Sequence, residues 1–167
     1  MTHRRSRVLF SAVIGAIALV ATACGSATPA AAPQSTPTTS GSTAGSTVGT
    51  AKDPNLGQIL VDGKGQTLYL FEKDKGSTSA CYGACAQFWP PLTTSGKPQA
   101  GSGATASLLG TTSRTDGKSQ VTYNGHPLYL FANDAQPGQV SGEGLNQFGA
   151  GWDVLSPLGN KIDKSGN

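Results

Sequence analysis

Charge is scarce in this 167-residue chain: 13% of its residues are Asp, Glu, Lys or Arg, about half the share of an ordinary soluble protein. No acidic residue precedes Asp53, and residues 25 to 51 carry no charge of either sign. The formal charge of +3 comes from Arg4, Arg5 and Arg7; beyond them nine basic residues face nine acidic ones. Sparse charge excludes a coiled coil and a highly charged disordered protein. The balanced remainder excludes a nucleic-acid binder, which needs a basic face. Long apolar runs are missing too. The longest extends only from Val8 to Ala23, short of the about 20 residues that span a bilayer, so a polytopic membrane protein is excluded. Soft metal ligands are few: His126 is the only histidine after His3, and Met1 is the only methionine. That is too little for a blue-copper site, and no C-x-x-C-H is present for haem. G-x-S-x-G, H-E-x-x-H and P-loop motifs are also absent.

Residues 1–23 read as an export signal peptide, with an arginine-rich start and a short apolar stretch. It ends at Ala21-Thr22-Ala23-Cys24-Gly25. Small residues before a cysteine resemble a lipobox, in which Cys24 is acylated, with palmitate among the expected chains, and the signal removed. Ala21 stands where leucine is preferred. Simple A-x-A cleavage and an uncleaved anchor helix are the alternatives. Arg4-Arg5 raises twin-arginine export, which Arg7 disfavours. Residues 24–51 form the lipidated Cys plus a linker. Apart from Gln34 and Val48, every residue from Gly25 to Ala51 is Ser, Thr, Ala, Gly or Pro. Such a segment is expected to stay disordered, to span roughly 30 Å root-mean-square, and to offer sites for O-glycosylation.

All ten aromatics after Phe10 lie between Tyr69 and Trp152, so the folded unit is expected over residues 52–167. A gap-free repeat at constant offset runs through it. Leu68-Tyr69-Leu70-Phe71-Glu72-Lys73-Asp74 aligns with Leu128-Tyr129-Leu130-Phe131-Ala132-Asn133-Asp134, and Gln87-Phe88 with Gln147-Phe148. The repeats span about 56–95 and 116–163. Turns at Asp62-Gly63-Lys64-Gly65, Asp116-Gly117 and Asn124-Gly125 punctuate short apolar runs, and Pro157 to Asn160 marks a last hairpin. The expectation is a mostly β fold: a small antiparallel domain of two meander-like repeats, with one short helix over Ser79–Phe88 near the Cys pair. On a strand, Tyr69 and Phe71 share one face and Leu68 and Leu70 the other, which predicts a strand covered on both sides. Asp74 and Asp134 shape the strand exits by accepting backbone N–H groups, or else Tyr69, Phe71, Asp74, Tyr129, Phe131 and Asp134 line a paired ligand site. Trp89, Trp152 and the tyrosines fill the core or stack on sugars or aromatic ligands. The glycines around Glu143 and Ala150 suggest a flexible or close-packed loop.

The doubled L-Y-L-F-x-x-D resembles the Y-x-[FWY]-x-x-D motif of the bacterial secreted-repeat lipoproteins. Cys81-Tyr82-Gly83-Ala84-Cys85 followed by Trp89-Pro90-Pro91 resembles that family's C-x-x-x-C and W-P-P, as does the glycine-rich run before Trp152. The resemblance covers residues 55 to 163. It implies an exported envelope protein, usually lipid-anchored, and transfers no activity.

Three readings compete for Cys81 and Cys85. Export favours a disulfide, and the second repeat lacks both cysteines together, with Ser141 and Leu145 in their places. A redox pair would need C-x-x-C inside a βαβ unit. A metal site would recruit His126 with Asp74 or Asp134, though His126 between Gly125 and Pro127 reads as a turn residue. The leading expectation is a non-enzymatic, lipid-anchored protein on the extracytoplasmic face of the cell membrane. It has no cofactor and no nucleic-acid partner, and it binds an envelope ligand or protein. The alternatives are a redox or electron-transfer accessory using Cys81/Cys85 or a metal, and a cell-wall hydrolase using Asp74 and Asp134 as paired carboxylates.

Overall fold

The computed structural model describes residues 45–162, so the signal, Cys24 and most of the linker lie outside the described residues. Strands β1 (Thr47–Asp53), β2 (Gly57–Asp62) and β3 (Tyr69–Phe71) are followed by helix α1 (Ala84–Phe88) and β4 (Gln99–Ala100). The second half holds β5 (Leu109–Ser113), β6 (Ser119–Tyr123), β7 (His126–Pro127), β8 (Leu145–Gln147) and β9 (Ala150–Val154). Three small sheets have the orders β2-β1-β4, β3-β9-β8 and β5-β6-β7. All pairings are antiparallel except β1 with β4. The mostly β architecture, with one short helix beside the cysteines, is as expected.

Two boundaries differ. Strand β1 begins at Thr47, inside the segment expected to be disordered up to residue 51. Thr47, Val48 and Thr50 are β-branched, which suits a pleated strand. Val48 is fully buried, and register from Val48↔Asp62 to Asp53↔Gly57 ties the strand to β2. Asp53 closes that hairpin, its Oδ1 accepting the amides of Asn55 and Leu56 at 2.8 Å each. The helix is also shorter than the expected Ser79–Phe88. Gly83 has φ +56°, a left-handed conformation that interrupts a helix. Ser79 and Cys81 are held outside it by long-range polar contacts described below.

The repeats are interlocked. At the centre, Tyr69 N–H donates to Tyr129 O at 2.9 Å and Tyr129 N–H returns the bond to Tyr69 O at 3.0 Å. Each repeat's inner hairpin is then extended by a strand from the other. Leu68 bonds to Leu60, and Leu60 to Leu155 of the second repeat; Leu128 bonds to Val121, and Val121 to Leu92 of the first. The tract Trp89 to Leu92 thus plays in one half the part that Trp152 to Leu155 plays in the other. Neither repeat completes its backbone hydrogen bonding alone, which is costly for buried groups.

The two faces of the motif strand feed two cores. Tyr69 and Phe71 join Trp89, Tyr129, Phe131, Trp152 and the cysteines in one cluster. Leu68 and Leu70 join Leu60, Leu92, Val121, Leu128 and Leu155 in the other. The strand is covered on both sides, as the alternation predicts.

Candidate functional site

The doubled motif converges on one place. Four rings form a continuous stack: Phe131 on Trp89 at 4.3 Å between centroids, Trp89 on Trp152 at 3.9 Å, and Trp152 on Phe71 at 4.0 Å. Tyr69 meets Trp89 edge-on at 5.3 Å, and Tyr129 meets Trp152 edge-on at 5.2 Å. Corresponding residues of the two repeats therefore sit in corresponding places about the Trp89–Trp152 contact. Stacked and edge-to-face pairs each add a little beyond area burial.

The tyrosine hydroxyls cross over. Tyr69 Oη donates to Asp134 Oδ2 at 2.5 Å, and Tyr129 Oη donates to Asp74 Oδ2 at 2.8 Å. Each tyrosine is paired with the aspartate of the other repeat. The remaining carboxylate oxygens accept backbone amides, Asp74 Oδ1 from Ala80 at 2.7 Å and Asp134 Oδ1 from Ser141 at 3.0 Å. Both aspartates thus shape the chain that leaves their strands. Burial, together with an acceptor carboxylate, pushes both phenols well above their usual range. The phenols stay protonated donors.

The surroundings of the two pairs differ. Tyr69 Oη also accepts Gly142 N–H at 3.3 Å. A Cβ on Gly142 would stand 2.7 Å from Trp89 Cη2 and 3.0 Å from Tyr69 Cε1, so only glycine fits there and the loop is close-packed. Tyr129 Oη instead meets Ser79 Oγ at 2.8 Å, and Ser79 leads to Arg114. Arg114 is buried, and its guanidinium donates to Ser79 Oγ, Gln120 Oε1 and Cys81 O at 2.8 Å each and to Asp116 at 3.2 Å. It lies 4.4 Å from the centre of the Tyr82 ring. The guanidinium serves four acceptors at once, one more than the three donors of a lysine ammonium could satisfy. Asp74 opens onto a cleft of about 320 Å³ shared with Glu72, His126 and Lys161. Burial raises its pKa from 3.8 to about 6 against the lowering pull of its hydrogen bonds and Arg114. Asp134 is buried and does not line that cleft.

Cys81 and Cys85 are joined in a disulfide with Cα atoms 5.3 Å apart. Only Cys85 lies on α1; Cys81 is in the loop whose carbonyl Arg114 holds. Bridged sulfurs offer no thiolate, so the set of Cys81, Cys85 and His126 is not assembled as metal ligands. Among the described residues no group of three or more metal-ligating side chains converges. His126 begins β7 and lies half-buried at the Asp74 cleft.

Sequence reasoning missed the cross-pairing, Ser79, Gln120 and Arg114. The last had a readable signal: it is the only arginine after Arg7. It also missed Gln147, which receives both core indoles, Trp89 Nε1–H at its side-chain oxygen (3.0 Å) and Trp152 Nε1–H at its carbonyl (3.1 Å). Both tryptophans are fully buried, which removes them as a sugar platform. The later phenylalanine of each repeat, Phe88 and Phe148, is exposed.

These features define a class: a two-repeat, interlocked antiparallel β domain whose repeated motif closes on itself. Residues 50–93 and 110–156 match the family described as a secreted repeat of unknown function, and the chain belongs to that family. No curated protein and no solved structure matches the sequence. Membership fits an exported protein. No helix among the described residues is long and apolar enough to cross a membrane.

Proposed function

We propose that the protein is a lipid-anchored module of the cell envelope, acylated at Cys24 and acting by binding or by structural support without catalysis. The stretch from Gly25 to Ala44 then links the acylated Cys24 to the β domain. The carrying observation is that Tyr69, Asp74, Tyr129 and Asp134 satisfy one another across the repeats. This geometry supports a motif that builds the domain. It disfavours a hydrolase, because each carboxylate is committed to a tyrosine and an amide and only Asp74 reaches the cleft. It disfavours a redox accessory as well. Thiol–disulfide exchange needs an accessible sulfur, and Cys81 and Cys85 are 0% and 6% exposed.

The test is membrane fractionation with labelled palmitate. The native chain is expected to carry label and sediment with membranes, and Cys24→Ser to lose both. Membrane retention of unlabelled Cys24→Ser would point to an uncleaved helix and overturn the anchor.

A further inference from the structure

The turn between β8 and β9 carries a bulky residue, Phe148, at positive φ. Gln147 and Ala150 close it, and its two central residues have φ of +55° (Phe148) and +91° (Gly149). Positive φ at both positions defines a type I′ hairpin turn, which favours Asn-Gly and strains a bulky residue at its first position. Phe148 is only partly buried in return, with 38% of its surface exposed, and Phe88 beside it is 49% exposed. Their ring centroids lie 6.0 Å apart at 41°, and with Gln147 they line a shallow cleft of about 250 Å³. The two occupy corresponding positions of the repeats. Backbone strain at a bulky residue left partly exposed points to a position selected for more than packing.

The patch is rigidly held. Gln147 is fixed by both core indoles, and Phe88 directly precedes Trp89. At its rim Lys73 donates from Nζ to Phe148 O at 3.2 Å, setting an exposed cation beside two exposed rings. Apolar rings flanked by a cation complement a bilayer surface, where rings enter the interface and the ammonium meets lipid phosphates. The rings are tilted at 41° with centroids 6.0 Å apart, which is not the parallel pair that sandwiches a flat ligand.

We infer that Phe88 and Phe148 form a membrane-docking patch that seats the β domain on the bilayer holding its anchor. The inference rests on the lipid-anchor reading. Only the short stretch from Gly25 to Ala44 separates Cys24 from the β domain, so the tether keeps the domain at a high effective concentration over the bilayer. Under that constraint a two-ring patch suffices where a free domain would bind too weakly.

The acylated full-length mature chain carrying Phe148→Trp is reconstituted into phosphatidylcholine vesicles with acyl chains brominated near the glycerol. Its emission is compared with that of the native chain, whose two tryptophans are buried. Docking predicts that the added emission is quenched by shallow bromines and that Phe88→Ser weakens the quenching severalfold. Protein that floats with the vesicles but is not quenched overturns the docking and leaves the anchor standing. Protein that does not float overturns the anchor, and the docking with it. Dimerisation abolished by Phe88→Ser/Phe148→Ser would assign the patch to a second copy of the chain. Pelleting with insoluble wall glycan, lost in the same variant, would assign it to a glycan. Either result contradicts the proposal. Phe148→Asn is expected to raise the melting temperature while abolishing the quenching signature at the turn, read from a Phe88→Trp reporter. A lower melting temperature would show that the ring serves the fold and would overturn the site.

Discussion

The two Tyr–Asp pairs use the same residues at the same spacing, but one is sealed and the other faces water. Tyr69–Asp134 lies under the Gly142 loop, with Asp134 buried and the tyrosine oxygen serving one carboxylate and one amide. Tyr129–Asp74 sits at the edge of a cleft and is continued by Ser79 into the Arg114 network. A duplicated motif thus keeps one geometry while its electrostatic setting diverges. The first repeat supplies most of the additions around the open pair: the disulfide, Ser79 and the loop carbonyl that Arg114 holds.

The largest expected effect falls on what the repeats share. Trp89→Ala and Trp152→Ala should each lower unfolding free energy by about 3–5 kcal/mol, measured by denaturant titration. Nearly equal losses support the equivalence of the two halves, and a gap above about 2 kcal/mol would break it.

The hydroxyls test the difference. Tyr69→Phe leaves buried Asp134 and Gly142 N–H each short of a partner and should cost about 2–3 kcal/mol. Tyr129→Phe leaves Asp74 within reach of water, and about 1 kcal/mol is expected. The reverse order would contradict the sealed and open assignment.

The bridge is a device of the first repeat alone. Cys81→Ala/Cys85→Ala should cost about 2 kcal/mol, the chain-entropy value for so short a loop. Intact mass of the native chain should rise by about two daltons on reduction, and only under conditions that first open the buried bridge.

A further effect is in pH. Because the folded pKa of Asp74 is raised, from 3.8 to about 6, the native state binds more protons than the unfolded state between those values. Stability contributed by this group is present below pH 3.8 and is lost as pH rises through about 6. Asp74→Asn should flatten that fall in a series of melts, and an unchanged slope would place the titration elsewhere.

Much of this comparison was legible in the sequence. The constant offset between the copies located both motifs, glycine-containing turns placed β5 to β7, and apolar alternation at Leu68 to Phe71 announced a strand with two buried faces. The exchange was not legible, because strand partners are chosen in space. Nothing local in Trp89 to Leu92 says that it completes the second repeat. Strand β1 was hidden by small residues whose composition matches a linker; its order comes from pairing with β2 and from the buried side chain of Val48. The candidate site was half visible. The motif residues could be named, but their crossed partners could not. The exposure of Phe88 and Phe148 ran against the rule that a small domain buries its aromatics.

The central claim is that the motif couples the repeats to each other. Double-mutant cycles on unfolding free energy test it directly, with Tyr69→Phe combined in turn with Asp134→Asn and with Asp74→Asn. The predicted result is a coupling of about 1–2 kcal/mol between Tyr69 and Asp134 and near-additivity between Tyr69 and Asp74. Strong coupling within the first repeat, with additivity across the repeats, would contradict the account.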